Sequence, residues 1–294
     1  MPAKIINGNT VAQHIIAKVR RELALLEAIN VKPTLAVVLV GENPASKLYV
    51  EKKQQMCEQI GIGFELRKCP ATISELELKG IIYELNYSLN VHGILVQLPL
   101  PENLRQEAIL GCISPLKDVD GFSAVNLGLL FYGESSLAAC TAKAIIRLIE
   151  SSGTKIEGAN VCVINHSIVV GKPLALMLLH RNATVTVCHK FTKDLALHTK
   201  QADILVTAVG KPGLINAGMV KQGAVVIDAG ISSLAGKAVG DVEFDGVSKV
   251  ASFITPVPGG VGPMTIAYLM ENTVNTALLQ QSQKQPGQRS SAAI

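Results

Sequence analysis

The chain has 294 residues, 48% of them hydrophobic, which is too long for one typical core and suits two domains of middling size. Its net charge of +4 has no concentrated basic run behind it and tryptophan is absent, so nucleic acid is disfavoured as a partner. No run reaches the ~18 uninterrupted apolar residues of a membrane-spanning helix; MPAKIINGNT holds no apolar segment of signal-peptide length, and the cysteines at 57, 69, 112, 140, 162 and 188 include no Cys-x-x-Cys pair. Those features predict a cytoplasmic protein with reduced thiols and no metal site or membrane partner.

In chain order, NTVAQHIIAKVRRELALLEAI places Val11, Ile15, Ile16, Val19, Leu23 and Leu26 on one helical face, with Thr10 and Gln13 as a candidate capping box. TLAVVLVG is an apolar run ended by glycine, the pattern of a buried parallel strand. Asn43 then caps a helix that opens with Pro44 and stops at Gly61. GFELRK is a strand, Ser74 and Glu77 form a second capping box, and HGILVQL is the third strand. After the polar, glycine-marked LKDVDGFSAVNLG the alternation restarts with the strands NVCVI, ATVTVC, DILVTAV and AVVIDAG. Strand and helix in alternation imply right-handed crossovers and parallel sheets, so the class is α/β, with a doubly wound nucleotide-binding sheet in the second half. ITPVPGGVGPMT makes a loop, IAYLMENTVNTALLQ a last helix, and the polar tail a disordered end.

Within the second half, VINHSIVVGKP runs from a strand through a turn with Gly171 into a helix beginning near Val170, which would aim helix amides at a phosphate. Asn165 stands where a glycine is usual, and asparagine tolerates left-handed backbone better than most residues. Folds that choose NAD usually place an acid about 20 residues on, against the ribose hydroxyls. Here that zone holds His189 and Lys190. An ammonium suits a 2′-phosphate, which favours NADP; the alternative is a solvated surface lysine.

In the first half, Tyr49 and Lys53 lie four apart on one helical face. Tyr-x-x-x-Lys also marks short-chain dehydrogenases, but there it follows the nucleotide loop, and here it precedes it. Gln97 ends a buried strand, and Asp118 and Asp120 occupy a loop before a glycine. In open parallel sheets ligands gather at the carboxyl ends of strands.

The stretches VGENPASKLYVEKK, GILVQLPLP, KDVDGF, VVGKPLALMLL, ATVTVCHKFTKDL, ADILVTAVGKPG, VIDAGI, GDVEF and TPVPGGVGPMTIAYLMENT resemble, in order, the bifunctional methylenetetrahydrofolate dehydrogenase/cyclohydrolase family. The resemblance implies oxidation of 5,10-methylenetetrahydrofolate with NADP (NAD less so), hydrolysis of the methenyl product to 10-formyltetrahydrofolate, and a homodimer. It implies a folate-binding catalytic domain over residues 1–138, rejoined by a returning helix 264–284, a Rossmann-like NAD(P)-binding domain over 139–263, and a tail from 285 to 294. Lys53 matches the catalytic lysine, Tyr49 its aromatic neighbour, Gln97 the lysine's partner and Asp120 the group gripping the pterin. The folate contacts implied further are Val96, Leu98, Pro99, Pro258, Gly259 and Gly260. Those implied for the cofactor are Thr141, Asn165, His166, Ser167, Val170, Gly171, Pro173, His189, Lys190, Ala208, Val209, Gly210, Ile231 and Thr265.

Physically, hydride transfer needs alignment, whereas ring opening must move a proton, for which a free lysine near ~10 is poorly matched at neutral pH. A neighbouring cation and a dry surrounding would lower that value. Gln97 is able either to accept from the ammonium or to donate to the amine. The chain departs from the family at two places. Asn165, His166 and Ser167 replace Gly-x-Ser, whose middle residue is often arginine, and a histidine is mostly neutral at pH 7. ACTAKA, residues 139–144, lacks two usual prolines, which frees the backbone there. A dehydrogenase without hydrolysis, and a folate-binding regulatory relative without turnover, are the alternatives.

Overall fold

The computed structural model describes residues 2–134, 136–234 and 236–284, so the tail expected over 285–294 lies outside the described residues. The chain begins with strand β1 (Lys4–Ile5) and helix α1 (Gly8–Glu27), followed by β2 (Thr34–Val40), α2 (Pro44–Ile60), β3 (Gly63–Cys69), α3 (Glu75–Tyr87), β4 (Gly93–Val96), α4 (Gln106–Leu110) and α5 (Ala124–Phe131). Helix α6 (Cys140–Ser151) opens the second run: β5 (Asn160–Ile164), α7 (Gly171–Leu179), β6 (Thr184–Cys188), α8 (Leu195–Thr199), β7 (Ile204–Thr207) and β8 (Val225–Asp228). The antiparallel pair β9 (Ser232–Leu234) and β10 (Lys237–Val239), α9 (Phe244–Val247), β11 (Phe253–Ile254) and α10 (Val261–Lys284) complete it. Two compact units result, one of residues 16–126 with those from Leu269 onward, the other of residues up to Ile15 with Leu127–Tyr268.

The first of these units holds a parallel sheet in the order β3-β2-β4. Central β2 is buried at every residue after Thr34, as its unbroken apolar run requires. Pairing of Val38 with Val96 brings Gln97 just past the end of β4, where its N–H donates to the Val38 carbonyl at 2.9 Å. The helix signals act as read: Asn43 accepts from Ser46 N–H at 3.1 Å, Gly61 closes α2 at φ 89°, and Ser74 with Glu77 forms the capping box of α3. The polar stretch before residue 128 differs from its reading as a loop, since α5 starts within it at Ala124.

The other unit holds a six-stranded parallel sheet, β1-β11-β8-β7-β5-β6. Chain order reverses between β5 and β7, the switch point at which doubly wound sheets open a crevice. The two-residue strands β1 and β11 are too short for a periodicity to reveal. Helix α1 starts earlier than Thr10, because Asn7 Oδ1 accepts from the N–H groups of Asn9 at 3.0 Å and Thr10 at 3.4 Å. Ile15, Val19 and Leu26 of its apolar face are buried. Residues 139–144, which lack the two usual prolines, lead into a helix. Apart from half-buried Thr141 and Lys143 they are buried, and they enter α6 directly.

The loop of Pro258, Gly259 and Gly260 is shorter than the sequence suggests, since α10 begins at Val261. It closes on the start of α1: Gly8 N–H donates to the Gly259 carbonyl at 2.8 Å, and a Cβ at Gly8 would lie 1.8 Å from the Gly260 carbonyl oxygen. Both partners are backbone and cannot swing away. Gly8→Ala is therefore expected to destabilise the protein by about 1–3 kcal/mol, read as a lower urea midpoint; an unchanged midpoint would mean the loop gives way freely.

Candidate active site

Helix α2 presents Ser46, Val50, Lys53 and Cys57 as its buried stripe. A lysine with 9% exposure needs an oxygen partner, and Lys53 Nζ donates to Gln97 Oε1 at 2.8 Å. Gln97 Nε2 is turned the other way and donates to the Leu98 carbonyl at 2.7 Å. Of the two roles open to Gln97, the carbonyl therefore faces the amine. Tyr49, one turn before Lys53, is half-buried with Lys52 Nζ 5.9 Å from its ring centre, and burial raises its phenol pKa. Val96 is buried inside β4, Leu98 is half-buried and Pro99 is exposed.

Asp118 and Asp120 separate in role. The carboxylate of Asp118, 1% exposed, accepts from Gly121 N–H (2.9 Å), Ser123 N–H (2.6 Å) and Asn126 Nδ2 (3.0 Å). It folds its own loop, in which Asp120 is half-buried.

In the other unit, the β5–α7 turn is organised by Asn165. Its Oδ1 accepts from Ser167 N–H and Ser167 Oγ, both at 2.8 Å, and from Gly171 N–H at 3.0 Å. Its Nδ2 donates to the Ala208 carbonyl at 2.6 Å, tying the end of β5 to the end of β7 across the switch point. Val170 N–H goes to Ser167 Oγ at 3.2 Å and Lys172 N–H to the Ser167 carbonyl at 2.9 Å. The first amides of α7, expected to face a phosphate, are thus already engaged within the turn. Gly171 is required there, because a Cβ would lie 2.0 Å from the Asn165 carbonyl oxygen; Pro173 is buried in the first turn of α7.

Imidazole and ammonium groups gather beside this turn. His166 and His189 lie with ring centres 4.9 Å apart, and Lys190 Nζ sits 4.9 Å from the Phe191 ring centre. All are exposed, and N–H donors and cations of this kind fit a phosphate monoester. Thr141 and Thr265 face each other, Oγ1 to Oγ1, at 3.5 Å. Val209 and Ile231 are exposed, and Gly210 turns at φ 76°. Among the described residues no group of three or more His, Cys, Asp or Glu is placed to hold a metal ion, and no helix is long and apolar enough to cross a membrane.

Comparison with known proteins gives the chemistry a family. Residues 6–120 match the catalytic domain, and residues 139–281 the NAD(P)-binding domain, of tetrahydrofolate dehydrogenase/cyclohydrolase. The chain belongs to this family. "Bifunctional protein FolD" of Moorella thermoacetica is 49% identical over 278 residues, covering 94% of this chain and 99% of the relative. That of Delftia acidovorans is 50% identical over 279 residues, covering 94% and 98%. The crystal structure of the FolD methylenetetrahydrofolate dehydrogenase/cyclohydrolase of Campylobacter jejuni superposes with a TM-score of 0.91 at 44% identity, covering 95% and 99%. The dehydrogenase-cyclohydrolase of Trypanosoma brucei, complexed with NADP cofactor and inhibitor, gives 0.91 at 36% identity, covering 96% and 99%.

Three residues of this tetrahydrofolate dehydrogenase/cyclohydrolase went unnoticed in the sequence. Ser46 Oγ, on the stripe of Lys53, is buried with no hydrogen-bond partner among the described residues, a state that costs about 1–3 kcal/mol unless something else supplies one. Asp241 accepts from Thr207 Oγ1, Val209 N–H and Lys211 N–H, each at 2.7 Å, and so holds the loop after β7. Asp228 accepts from Gly230 N–H (2.9 Å), Asp241 N–H (3.1 Å) and Val242 N–H (2.9 Å), fixing the loop after β8. Their signal was the flanking glycine: a Cβ at Gly230 would meet the Asp241 carboxyl at 2.2 Å, and one at Gly240 would meet Asp228 Oδ2 at 2.0 Å.

Burial pushes the Asp228 carboxyl up to about 6, against three amide hydrogen bonds that pull it down. A carboxyl raised on folding holds a proton that the unfolded chain has released between about pH 4 and 6. Its stabilising contribution is complete below pH 4 and lost as pH rises through 6. Asp228→Asn is expected to be less stable at each pH, since an amide cannot accept all three bonds, but without this fall. Urea unfolding of both proteins at pH 4.5 and 7 checks it: equal pH dependence in the two would remove Asp228 as the source.

Proposed function

We propose that this chain oxidises 5,10-methylenetetrahydrofolate with NADP⁺ and hydrolyses the resulting methenyl cation to 10-formyltetrahydrofolate. The observation that carries the reading is the buried hydrogen bond from Lys53 to Gln97 at the carboxyl end of β4. NADP⁺, when bound, supplies the hydride acceptor. Everything else falls to the chain's own side chains. Lys53 passes the proton between the attacking water and the opening ring, and Gln97 fixes its amine by accepting from it. Asp120 takes the pterin's amino and ring N–H groups in a paired, charge-assisted contact, on a loop that Asp118 keeps in shape. The Tyr49 ring offers an apolar wall to the flat substrate, and Ser46 Oγ gains the partner it lacks.

NADP is favoured over NAD because the position after β6 carries His189 and Lys190 in place of an acid. The relative from Trypanosoma brucei crystallised with NADP supports the same choice. The folate-binding catalytic domain is assigned to residues 1–138 with the returning helix 264–284, and the cofactor domain to 139–263. The six cysteines are free, which supports a reducing, cytoplasmic setting, and the active form is proposed to be a homodimer.

A spectrophotometric assay tests the reading by following NADPH appearance and methenyl accumulation together. Lys53→Met is expected to abolish hydrolysis and leave measurable dehydrogenase turnover, so that methenyl product accumulates; equal loss of both activities with folate binding intact would deny the lysine a hydrolytic role. Asp120→Asn is expected to raise the folate KM about tenfold or more, in line with loss of a charged hydrogen bond, with NADP affinity unchanged. An unaltered folate KM would remove Asp120 from the substrate site.

A further inference from the structure

Two thiols of the large sheet stand against each other and have no part in the chemistry above. Cys162 in β5 and Cys188 at the end of β6 are each 1% exposed, and their sulfurs lie 3.8 Å apart. Both are free thiols, set in an apolar cluster with Ile164, Ala202 and Leu205. They are 26 residues apart in the chain, so no Cys-x-x-Cys spacing announces them. A buried cysteine is ordinarily a small apolar filler, but two sulfurs in contact are also a pair of soft ligands.

The register decides what such a pair is able to do. Cys162 lies opposite Thr186 and Cys188 opposite Ile164, so the two cysteines are diagonal neighbours, two residues out of step. Strands ~4.8 Å apart, rising ~3.3 Å per residue, put the two Cα atoms ~8 Å from each other. A disulfide needs its Cα atoms within ~7 Å and its sulfurs at ~2.05 Å. Oxidation would have to draw these sulfurs together by ~1.8 Å against the pairing of the strands. A shared metal ion asks for the opposite movement. With metal–sulfur bonds of ~2.3 Å, sulfurs at the observed separation already subtend ~110° at the ion, and parting them by ~0.8 Å makes the arrangement linear.

Among the described residues no third His, Cys, Asp or Glu joins the pair to hold a metal, which leaves two sulfurs as the donor set. Structural zinc takes four ligands and calcium six or more, whereas soft d¹⁰ ions such as Hg²⁺, Ag⁺ and Cu⁺ accept two thiolates. Charge narrows the choice. An uncompensated charge is costly in an apolar cluster, and of these ions only the divalent one leaves two thiolates neutral.

We infer that Cys162 and Cys188 form a two-coordinate site for a soft divalent d¹⁰ cation, with Hg²⁺ as the fitting ion. Two S–H bonds break, two S–Hg bonds form, two protons pass to solvent, and no electron changes hands. Entry is from the edge of the sheet, where β6 is the outermost strand and its Thr184, Thr186 and Val187 are exposed.

The test uses the full chain, reduced, given one equivalent of mercuric chloride, and gel-filtered in excess glutathione. Single thiols lose their mercury to the competitor, whereas a chelating pair holds it ~100-fold or more tightly. Wild type is expected to retain about one ion per chain, with X-ray absorption showing two sulfurs around it, and zinc chloride in place of mercury is expected to pass through unbound. Cys162→Val and Cys188→Ala should each lower retention ~100-fold, while Cys112→Ser, which removes the half-buried thiol, should leave it unchanged. Unaltered dehydrogenase turnover of the metal-free variants certifies their fold, and the sulfur count in wild type stands independently of them. Loss of mercury from wild type to glutathione, retention that survives either strand substitution, or a sulfur count other than two overturns the inference. So does a Cys162–Cys188 disulfide formed with oxidised glutathione, since the strands would then close in the direction their register opposes.

Discussion

A lysine ammonium inside a protein has to be met by oxygen, and the Gln97 amide supplies such an oxygen to Lys53. Gln97 takes the hydrogen of Lys53 with its carbonyl and spends its NH₂ on the neighbouring Leu98 carbonyl, so that neither end can rotate without losing a bond. What fixes Gln97 is in turn the central pairing of the small sheet, where its backbone N–H prolongs the ladder to Val38. The position of one amine thus traces back to the register of β2 against β4 and to the Asn43, Pro44 and Gly61 signals that set the phase of α2. The chemistry proposed for the protein depends on that chain of constraints.

The cofactor-type unit solves a different problem by related means. Its parallel strands end in loops whose backbone donors must be satisfied, and polar side chains do this in place of further backbone. Asn165, Asp228 and Asp241 each gather three donors from the loops at the carboxyl ends of β5, β7 and β8. The price is two carboxylates buried in adjacent positions, tolerated because glycines at 230 and 240 leave room for them. A turn closed by its own asparagine has these donors engaged before any ligand arrives, and the exposed His166, His189 and Lys190 lie beside it.

Much of this was legible in the residues. Apolar runs gave β2, β4, β5, β7 and β8, and the caps Asn43, Ser74 and Gly61 placed helix ends closely, because these signals are local and act within one turn. The α/β class and the family followed from alternation and from motifs. The hidden features depend on partners distant in sequence. Nothing near Asn165 says that its amide will meet Ala208, nor does anything near Asp228 announce Val242. Likewise β1 and β11 exist only because each finds a sheet neighbour far along the chain, and Asn7 displaced Thr10 as the start of α1 through geometry that a sequence pattern alone does not rank. For Lys53 and Gln97 the resemblance supplied the pairing, and the fold supplied its direction.

The edge of the large sheet carries a consequence for biosynthesis. Residues 4 and 5 pair with residues 253 and 254, and Gly8 meets the loop at 259 and 260. Residues 4 to 8 therefore have no partner to dock on until residues 253 to 260 have been made, while the interior strands β5 to β8 have their neighbours much sooner. Strand β1 and the proline-glycine loop are therefore set to join after the interior of the sheet has formed.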